Sequence, residues 1–502
     1  MAGSTSRPAE PHPDLLAVGL RRTPEAVCVL DPVLRLTFAE VDERASRLLG
    51  ALRTAGLQRG DRIALLAQNR AEHLELMVAA QRGGFVLVPL NWRLTGGELG
   101  RIVADCTPAL LVHALPFAGT AAGLNVPRRW QFDESYAHRL AATVPVPREP
   151  IDPDALCEIL YTSGTTGTPK GAMVSNRGHL ARMCTVALDL LIGPGHVFLQ
   201  VMPMFHIMVI FTHTFAFRGA MNVILPGFDD AQVFGSIAEH RVTHTALVPT
   251  AIESLVASPH RATADCSSLV TILYGASPIT PAGLRRALGA FNCGFHQIYG
   301  MTEVGTATIL GPGDHDPQRR PGLMSSAGRD MSLVQIDIVG PGGQPCPDGE
   351  SGEMVISGPG VTDGYWNDPA ATAEVLQHGR LRSGDIGHRD SAGYIFVTDR
   401  LKDIIITGGE NVSPREVEAV IEQHPGVQEC AVIGLPDQHY VERVHAVIVM
   451  QTGSQLDEPS LRAHCAQRLA GYKCPRSYAT AERLPRNAVG KLLRKDLRPA
   501  ER

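Results

Sequence analysis

The feature that most constrains the fold is an alternation of helix-start signals and short apolar runs over the first 325 residues. Three N-cap residues are each followed by an acid three positions later: Thr37 and Glu40, Asn69 and Glu72, and Thr95 and Glu98. Apolar runs at 62–67, 85–90 and 109–112 lie between the predicted helices, and similar runs continue to residue 274. Strands that alternate with helices predict parallel sheets covered on both faces.

The pattern changes after about residue 325. Short runs bounded by Gly and Pro, at 334–339, 353–357 and 394–397, predict antiparallel strands. A capped helix that starts at Ser413 then opens a compact α+β module. We therefore predict an α/β protein with an N-terminal domain over 1–399, which combines parallel α/β subdomains with a β-rich subdomain at about 325–399. A hinge at 400–402 and a mobile α+β C-terminal domain over 403–502 complete it.

Composition excludes several classes of protein. Lys and Arg total 46 against 51 Asp and Glu, a net charge of −5, which argues against a dedicated binder of nucleic acid or anionic membranes. The 10 cysteines include no Cys-x-x-Cys pair, so reduced thiols and a cytoplasmic location are expected. Residues 197–217 carry no charge, but Gln200, Pro203 and two histidines interrupt them. They predict buried interior instead of a transmembrane segment.

Residues 161–171 (YTSGTTGTPKG) carry the strongest chemical signal. An apolar strand leads into a loop of glycines and hydroxyl residues that ends in one lysine. Such a loop presents backbone N–H groups, hydroxyls and a cation to an anion, which suits a polyphosphate. It is not a Walker A loop, because Pro169 and Gly171 stand where that motif needs Gly and Ser or Thr.

Four further stretches follow this loop in order: 297–303 (QIYGMTE), 383–385 (SGD), 399–403 (DRLKD) with 407–411 (TGGEN), and 485–491 (PRNAVGK). Together with the loop they resemble the signature motifs of the adenylate-forming superfamily, which includes acyl- and aryl-CoA synthetases, adenylation domains and luciferases. The resemblance spans nearly the whole chain. It implies ATP, Mg²⁺ and coenzyme A as the cofactor and co-substrates.

The resemblance also implies roles for individual residues. Catalysis would fall to Lys491, Thr302 and Glu303, with His206 as a gate, and Glu303 would be the metal ligand. Lys402 would be the hinge, and Gly408 and Gly409 would line the coenzyme A tunnel. ATP or AMP would be bound by Thr162, Ser163, Gly164, Thr165, Thr166, Gly167, Lys170, Gly275, Ala276, Ser277, Gln297, Tyr299, Gly300, Thr302, Asp385, Arg400 and Lys491.

The acyl pocket is expected from residues in three separate segments: His206, Val248, Pro249, Tyr274, Gly275 and Met301. Amino-acid adenylation domains carry an aspartate at the place of 205–206, which this chain lacks, so an amino-acid substrate is disfavoured. An uncharged pocket cannot easily hold a second carboxylate. A neutral monocarboxylate is therefore expected, with aliphatic and aromatic acids both open. A plain core histidine is the alternative for His206.

The predicted activity is that of an acid–thiol ligase. It would convert a carboxylic acid through an acyl-adenylate to its CoA thioester, releasing AMP and pyrophosphate. Two alternatives remain open: transfer of the acyl group to a carrier-protein thiol or an amine, and a nucleotide-binding regulator without turnover. The expected partners are small molecules, with no nucleic acid and no transmembrane segment. A homodimer and peripheral membrane association are left open.

Overall fold

The computed structural model describes residues 12–162, 169–276, 279, 281–400, 403–407, 410–437, 440–451, 453–469, 471–486 and 492–498. The chain divides into two compact units. The first comprises Met1–Met324, Gly328–Gln335 and Ile356–Leu381, and the second Ser325–Ala327, Ile336–Val355 and Arg382–Arg502. The predicted domain limits and the hinge at 400–402 remain predictions.

Strands and helices alternate through the first unit as the sequence pattern predicts. Its strands are β1 Val27–Leu30, β2 Arg35–Thr37, β3 Arg62–Leu66, β4 Val86–Pro89, β5 Leu110–His113, β6 Arg129–Gln131, β7 Leu156–Thr162, β8 Lys170–Ser175, β9 Val197–Gln200, β10 Met221–Ile224, β11 His244–Leu247, β12 Thr271–Gly275, β13 Gly294–Met301, β14 Gly305–Leu310 and β15 Arg329–Asp330.

Twelve α-helices are described in the same unit: α1 Ala17–Arg22, α2 Phe38–Thr54, α3 Glu72–Gly83, α4 Gly96–Cys106, α5 Ala118–Gly123, α6 Glu134–Ala142, α7 Asn176–Asp189, α8 Val209–Phe217, α9 Asp230–His240, α10 Pro249–Ala257, α11 Pro281–Ala290 and α12 Pro369–Val375. Short 3₁₀ helices lie at Leu115–Phe117, Pro259–Ala262, Pro312–Asp314 and Pro321–Ser325.

Two sheets organise these elements, and both are largely parallel. Among the described residues, one has the strand order β6-β5-β3-β4-β7-β8 and is parallel except for the β7–β8 hairpin. The other has the order β15-β14-β13-β12-β11-β9-β10-β1-β2 and is parallel from β13 to β1. The predicted parallel α/β architecture is confirmed. Ligands of such sheets bind at the carboxyl ends of the strands.

The later part of the chain contains a third sheet and a fourth. Strands β16 Gln335–Val339, β17 Gly352–Ser357, β18 Leu376–Gln377, β19 Arg380–Arg389 and β20 Ile395–Arg400 form the third, with the order β16-β17-β19-β18 and β20 paired to β19. The last sheet has the order β22-β21-β24-β23, with β25 paired to β24. It comprises β21 Ile405–Thr407, β22 Glu410–Val412, β23 Val427–Asp437, β24 Val441–Met450 and β25 Ser477–Thr480.

Helices α13 Pro414–Ile421 and α14 Glu458–Ala466 pack with the last sheet, and 3₁₀ turns lie at Gly471–Lys473 and Arg494–Leu497. The predicted start of α13 is confirmed: Pro414 is the first residue of the helix, and the Ser413 Oγ that caps it accepts a hydrogen bond from Glu416 N. The antiparallel β19–β20 pair confirms the predicted change of texture after residue 325.

Two of the three predicted N-caps are confirmed. Thr37 and Thr95 form reciprocal capping boxes with Glu40 and Glu98 at the starts of α2 and α4. In each box the threonine hydroxyl and the glutamate carboxylate satisfy N–H groups that the first helical turn leaves unpaired.

The third prediction, Asn69, is wrong. Helix α3 begins at Glu72 without a side-chain cap. The Asn69 amide instead donates to the carbonyls of Met202 and Leu225, each at 3.0 Å, and accepts from Met204 N at 2.8 Å. An amide that satisfies three backbone groups of distant segments cannot also cap its own helix.

The uncharged stretch at 197–217 is interior, as predicted. It becomes β9, a turn and α8, whose nine residues are all buried. Within the described chain, no helix has both the length and the apolar character that a membrane crossing requires.

Candidate active site

The β7–β8 hairpin brings both ends of the predicted phosphate loop together. Thr162 and Lys170 are register partners, and Thr162 Oγ1 donates to the Lys170 carbonyl at 3.3 Å. The Lys170 ammonium lies 5.2 Å from the ring centroid of Tyr365, a cation–π contact. The loop residues Ser163, Gly164, Thr165, Thr166 and Gly167 lie outside the described residues.

A cavity of ≈ 400 Å³ adjoins this hairpin. Its lining combines cationic, acidic and aromatic side chains: Arg101, Asp105, Tyr161, Lys170 and Trp366 among others. The Tyr161 hydroxyl donates to the Asp105 carboxylate, and Trp366 Nε1 donates to the Asp105 carbonyl at 3.3 Å. Asp105 therefore joins α4 to the segment after residue 360, a link that no local sequence signal predicts.

The carboxyl ends of β12 and β13 form the second part of the site. Gly275 pairs with Ile298, and a Cβ at Gly275 would lie 2.2 Å from the Ile298 carbonyl oxygen. Only glycine allows that approach. Ala276 follows with φ +66°, so the backbone turns sharply where β12 ends. Ser277 lies outside the described residues.

The predicted nucleotide-binding residues Gln297, Tyr299 and Gly300 lie between the middle and the end of strand β13. Gln297 and Tyr299 are half-buried and two residues apart, so their side chains share one face of the sheet. The register with β14 shifts between Tyr299 and Gly300. A Cβ at Gly300 would lie 2.0 Å from the Gly305 carbonyl oxygen, so this irregularity also requires glycine.

Thr302 and Glu303 lie in the turn that follows, where they are 8% and 7% exposed. Glu303 Oε1 accepts a 2.6 Å hydrogen bond from the Tyr365 hydroxyl. The Glu303 carbonyl accepts from Thr362 N, also at 2.6 Å. Gly275 and Ala276 thus lie at the carboxyl end of β12, and Thr302 and Glu303 follow the carboxyl end of the adjacent strand β13.

Behind the Glu303 turn lies a second charged group. Arg182 on α7 is fully buried, and its Nε donates to the Gly360 carbonyl at 2.8 Å. Burial lowers the pKa of the Arg182 guanidinium, and the Glu158 and Glu303 carboxylates partly offset this shift. Burial raises the pKa of Glu158 to about 7, and Arg182 partly offsets that rise. Burial raises the pKa of the Tyr365 hydroxyl, and the charge of Glu303 is the second largest cause of this shift.

The sequence predictions include neither Tyr365 nor Arg182. Tyr365 lies on the 360–368 segment, which follows β17 and pairs with the start of β8. Trp366 N donates to the Gly171 carbonyl at 2.8 Å, and residues 172 and 365 form an antiparallel bridge. The pairing joins residues almost 200 positions apart in the chain, so sequence spacing holds no signal for it.

The predicted acyl-pocket residues are only partly brought together. Val248 and Tyr274 share one apolar cluster, and Pro249 begins α10 directly after Val248. The Tyr274 hydroxyl lies 2.9 Å from His315 Nε2 and 3.1 Å from Gln297 Oε1. His315 Nδ1 lies 2.8 Å from the Gly311 carbonyl, which assigns the proton to Nδ1 and makes Nε2 the acceptor.

His206 lies in the turn before α8, where it is half-buried and its N–H donates to the Pro203 carbonyl at 3.3 Å. Met301, the last residue of β13, is also half-buried. Neither belongs to the cluster that contains Val248 and Tyr274. Sequence reasoning did not find His315, which has no motif of its own.

In the second unit, Asp385 and Arg400 are register partners on β19 and β20. Asp385 is 4% exposed, and its N–H donates to Ser383 Oγ at 3.0 Å. Ser383 Oγ in turn donates to the Met354 carbonyl at 2.6 Å, which fixes the turn at 383–385. Asp385, predicted to bind the ribose, and Arg400, predicted to lie near the nucleotide, are therefore directly opposite each other on adjacent strands.

Lys402, Gly408, Gly409 and Lys491 lie outside the described residues. The nearest described residues on either side of Lys491, 486 and 492, form an antiparallel bridge. Arg486 pairs with Glu429 on β23 at 2.5 Å. Arg494 pairs with Glu418 on α13 through two hydrogen bonds and donates to the Val432 carbonyl of β23 at 3.0 Å.

One carboxylate meets the requirements of the predicted Mg²⁺ ligand. Among the described residues, no group of three or more His, Cys, Asp or Glu side chains converges as a metal cage would require. Glu303 Oε1 is held by Tyr365, whereas Oε2 accepts no hydrogen bond from the described part of the chain. Mg²⁺ is commonly bound by one or two carboxylates together with substrate phosphates. The residues present fit that mode of binding.

Comparison with known proteins identifies the class. Residues 16–366 match the AMP-binding enzyme family, and residues 416–491 match the AMP-binding enzyme C-terminal domain. The chain therefore belongs to the AMP-binding enzymes, which confirms the predicted superfamily and the prediction of an enzyme.

Relatives and solved structures agree over almost the full length. A feruloyl-CoA synthase from Amycolatopsis sp is 38% identical over 481 residues, covering 95% of this chain and 96% of that protein. The fatty acid–[acyl-carrier-protein] ligase ScoC from Streptomyces coeruleorubidus is 35% identical, covering 95% and 93%. The o-succinylbenzoate CoA synthetase MenE from Bacillus subtilis, in complex with its acyl-adenylate, superposes with a TM-score of 0.87 at 31% identity, covering 98% and 99%.

Proposed function

We propose that the enzyme activates a neutral, apolar monocarboxylic acid through an acyl-adenylate to its CoA thioester, with release of AMP and pyrophosphate. One observation carries the proposal most directly. The turn with Thr302 and Glu303 follows β13, β13 pairs with the glycine end of β12, and Tyr365 joins Glu303 to Lys170. Groups suited to the α-phosphate, a metal ion and the outer phosphates therefore lie around Tyr365, between the end of β13 in one sheet and the start of β8 in the other.

The first half-reaction would depend on position and charge more than on covalent chemistry. Lys170 and its loop would hold the β- and γ-phosphates, and the Thr302 hydroxyl would donate to the α-phosphate. Glu303 would hold Mg²⁺, which when bound neutralises phosphate charge. Lys491 would lie against the reacting oxygens. A cation about 4 Å from them is worth roughly 4 kcal/mol at an effective dielectric of 20, or about a thousandfold in rate.

The second half-reaction would use a different arrangement of the C-terminal domain. A turn about Lys402 would withdraw Lys491 and bring Gly408 and Gly409 towards the pantetheine arm. Asp385 and Arg400 would hold the ribose and nucleotide in both steps, since an ionised carboxylate accepts hydrogen bonds from both ribose hydroxyls. The CoA thiol would then displace AMP from the adenylate.

An aromatic acid is the favoured substrate. The predicted pocket draws on the uncharged stretch at 197–217 and on Val248 and Tyr274, which are both buried in one apolar cluster. A feruloyl-CoA synthase, named for an aromatic acid, is among the proteins that the chain resembles over nearly its full length. An aliphatic acid remains the alternative.

A carrier-protein thiol is the second candidate acceptor. The 35% identity to a fatty acid–[acyl-carrier-protein] ligase supports it. The two candidates differ in the final acceptor and share the adenylate.

Both parts of the proposal are tested by one set of assays. Exchange of labelled pyrophosphate into ATP, measured with each acid of a panel of aromatic and aliphatic monocarboxylates, reports the adenylate. Mass spectrometry of the products with CoA or a phosphopantetheinylated carrier protein then identifies the acceptor. If none of the acids in the panel supports exchange, the proposal is contradicted. Exchange without a CoA thioester, but with an acylated carrier protein, would replace CoA by the second candidate.

A further inference from the structure

Tyr365 contacts two residues to which the proposed function gives separate tasks. Its hydroxyl lies 2.6 Å from Glu303 Oε1, and its ring centroid lies 5.2 Å from the Lys170 ammonium. We propose that Tyr365 is a positioning residue that orients the Glu303 carboxylate for a divalent cation and spaces it from Lys170. This inference rests on the proposed roles of Glu303 and Lys170.

The backbone holds the tyrosine ring in place independently of its side-chain contacts. Residue 365 bridges residue 172 on β8, and Tyr365 N donates to Thr372 Oγ1 at 2.9 Å. On the other side, Thr362 N donates to the Glu303 carbonyl at 2.6 Å. The 360–368 segment is thus attached both to the strand that begins with Lys170 and to the turn that contains Glu303.

The hydrogen bond leaves the carboxylate available to a cation. The hydroxyl occupies Oε1 only, and Oε2 accepts no hydrogen bond from the residues that the structure describes. A hydrogen bond to an ionised carboxylate is strong and directional. Groups that orient metal ligands in this way typically change metal affinity by 10–100-fold when they are removed.

The chain offers a matched control for the same chemical change. The Tyr136 hydroxyl donates to Glu75 Oε1, also at 2.6 Å, and this pair is buried between α6 and α3. Neither residue is among the predicted site residues. Tyr136→Phe therefore removes a buried tyrosine–glutamate hydrogen bond of equal length without touching the candidate site.

The experiment measures the affinity of the full chain for Mn²⁺ in its ATP complex, from the change in the Mn²⁺ electron paramagnetic resonance spectrum when that complex binds to the protein. Four proteins are compared: the unsubstituted enzyme, Tyr365→Phe, Tyr136→Phe and Glu303→Gln. Thermal unfolding shows that each is folded. We expect Tyr365→Phe to weaken Mn²⁺ by about 10–100-fold and Tyr136→Phe to leave it unchanged. ATP binding in EDTA should be equal for Tyr365→Phe and the unsubstituted enzyme.

A second pair of variants separates the hydroxyl from the ring. Tyr365→Leu also removes the aromatic face beside Lys170, so it should weaken metal-free ATP binding where Tyr365→Phe does not. In a Glu303→Gln background, Tyr365→Phe should have no further effect on Mn²⁺, because the carboxylate it orients is gone.

The outcomes distinguish this inference from the proposed function. If Glu303→Gln weakens Mn²⁺ and Tyr365→Phe does not, the positioning role of the hydroxyl is overturned and the metal role of Glu303 stands. If Glu303→Gln binds Mn²⁺ as the unsubstituted enzyme does, the metal role falls, and the role of Tyr365 falls with it. Equal metal-free ATP affinities for Tyr365→Phe and Tyr365→Leu would overturn the proposed role of the Tyr365 ring in spacing Lys170 from Glu303.

Discussion

At the scale of single residues, two glycines permit backbone approaches that no other residue tolerates. At Gly275 the neighbouring atom is the Ile298 carbonyl oxygen, and at Gly300 it is the Gly305 carbonyl oxygen. In both cases the obstacle is backbone within a sheet, which cannot rotate away as a side chain can. The shape of the candidate nucleotide site therefore depends on the absence of two side chains.

Gly275→Ala should destabilise the protein, because its Cβ would lie 2.2 Å from the Ile298 carbonyl oxygen and force β12 and β13 apart. Overpacking of this kind costs about 1–3 kcal/mol. Urea unfolding measures the loss, and metal-free ATP binding should weaken in parallel. Gly289→Ala on α11 is the control, since nothing lies within 4 Å of its Cβ position. It should leave stability equal or raise it by about 0.5–1 kcal/mol. Equal effects at both positions would contradict the steric argument.

At the scale of elements, local chemistry predicted what is local. The capping boxes at Thr37 and Thr95 and the helix start at Ser413 each depend on residues three positions apart, and all three are confirmed. The Asn69 prediction failed because its side chain bonds to residues more than 130 positions away. Tyr365 was missed for the same reason, since no local pattern in the sequence shows which distant strand the 360–368 segment pairs with.

Asn69→Ala should therefore cost more stability than Thr95→Ala. Loss of an exposed threonine cap typically costs about 1 kcal/mol. Asn69 is 5% exposed, and its removal leaves the buried Met204 N–H without its acceptor and the Leu225 carbonyl without its donor, whereas the Met202 carbonyl still accepts from Gln200 Nε2. Each such group costs about 1–3 kcal/mol, so a total of roughly 2–4 kcal/mol is expected. Urea unfolding of both variants at one pH gives the comparison; a larger loss at Thr95 would count against this ranking.

Helices α3, α7 and α8 bring three buried histidines together. His179 Nε2 lies 2.9 Å from His213 Nδ1, and the His73 ring centroid lies 5.5 Å from that of His213. Burial lowers the pKa of His73 to about 4 and that of His179 to about 3, and it also lowers the pKa of His213. Arg182 adds to the shift at His179. All three rings are neutral in the folded protein near pH 6.

Stability should consequently fall as pH decreases from about 6.5 towards 4. The unfolded chain takes up protons at these histidines near their ordinary pKa of about 6.5, whereas the folded protein does not. Each unmatched proton contributes about 1.4 kcal/mol per pH unit. Glu158 acts in the opposite sense, because its pKa is raised to about 7 and its neutral form favours the folded state at low pH. Urea unfolding between pH 7.5 and 5 measures the slope. In Glu158→Gln the fall should be steeper; a flat profile in both proteins would contradict the prediction.

At the scale of the whole molecule, the proposed reaction needs two arrangements of one chain. The motifs proposed to bind the phosphates, Mg²⁺ and the acid precede residue 304, whereas Lys491 lies nearly 190 residues further along the chain. In the proposed scheme, Lys491 would lie against the reacting oxygens in the first step and would have to withdraw before the CoA thiol approaches the same carbonyl carbon. Lys491 and the two glycines at 408 and 409 all follow the proposed hinge at 400–402. One turn about that hinge would therefore withdraw the lysine proposed to assist adenylation and bring in the glycines proposed to admit the thiol.

Lys491→Ala should therefore divide the two half-reactions. Adenylation should slow by about 10²–10⁴, because the cation that stabilises the reacting oxygens is lost. Conversion of supplied acyl-adenylate and CoA to thioester should keep a rate within about threefold of that of the unsubstituted enzyme, since the proposed second step does not use the lysine. Pyrophosphate exchange measures the first step, and AMP release from synthetic adenylate measures the second. Lys495→Ala, four residues further along the same C-terminal segment, is the matched control and should leave both steps unchanged. Equal losses of both half-reactions in Lys491→Ala would show that the lysine serves both arrangements, and the proposed division between them would then fail.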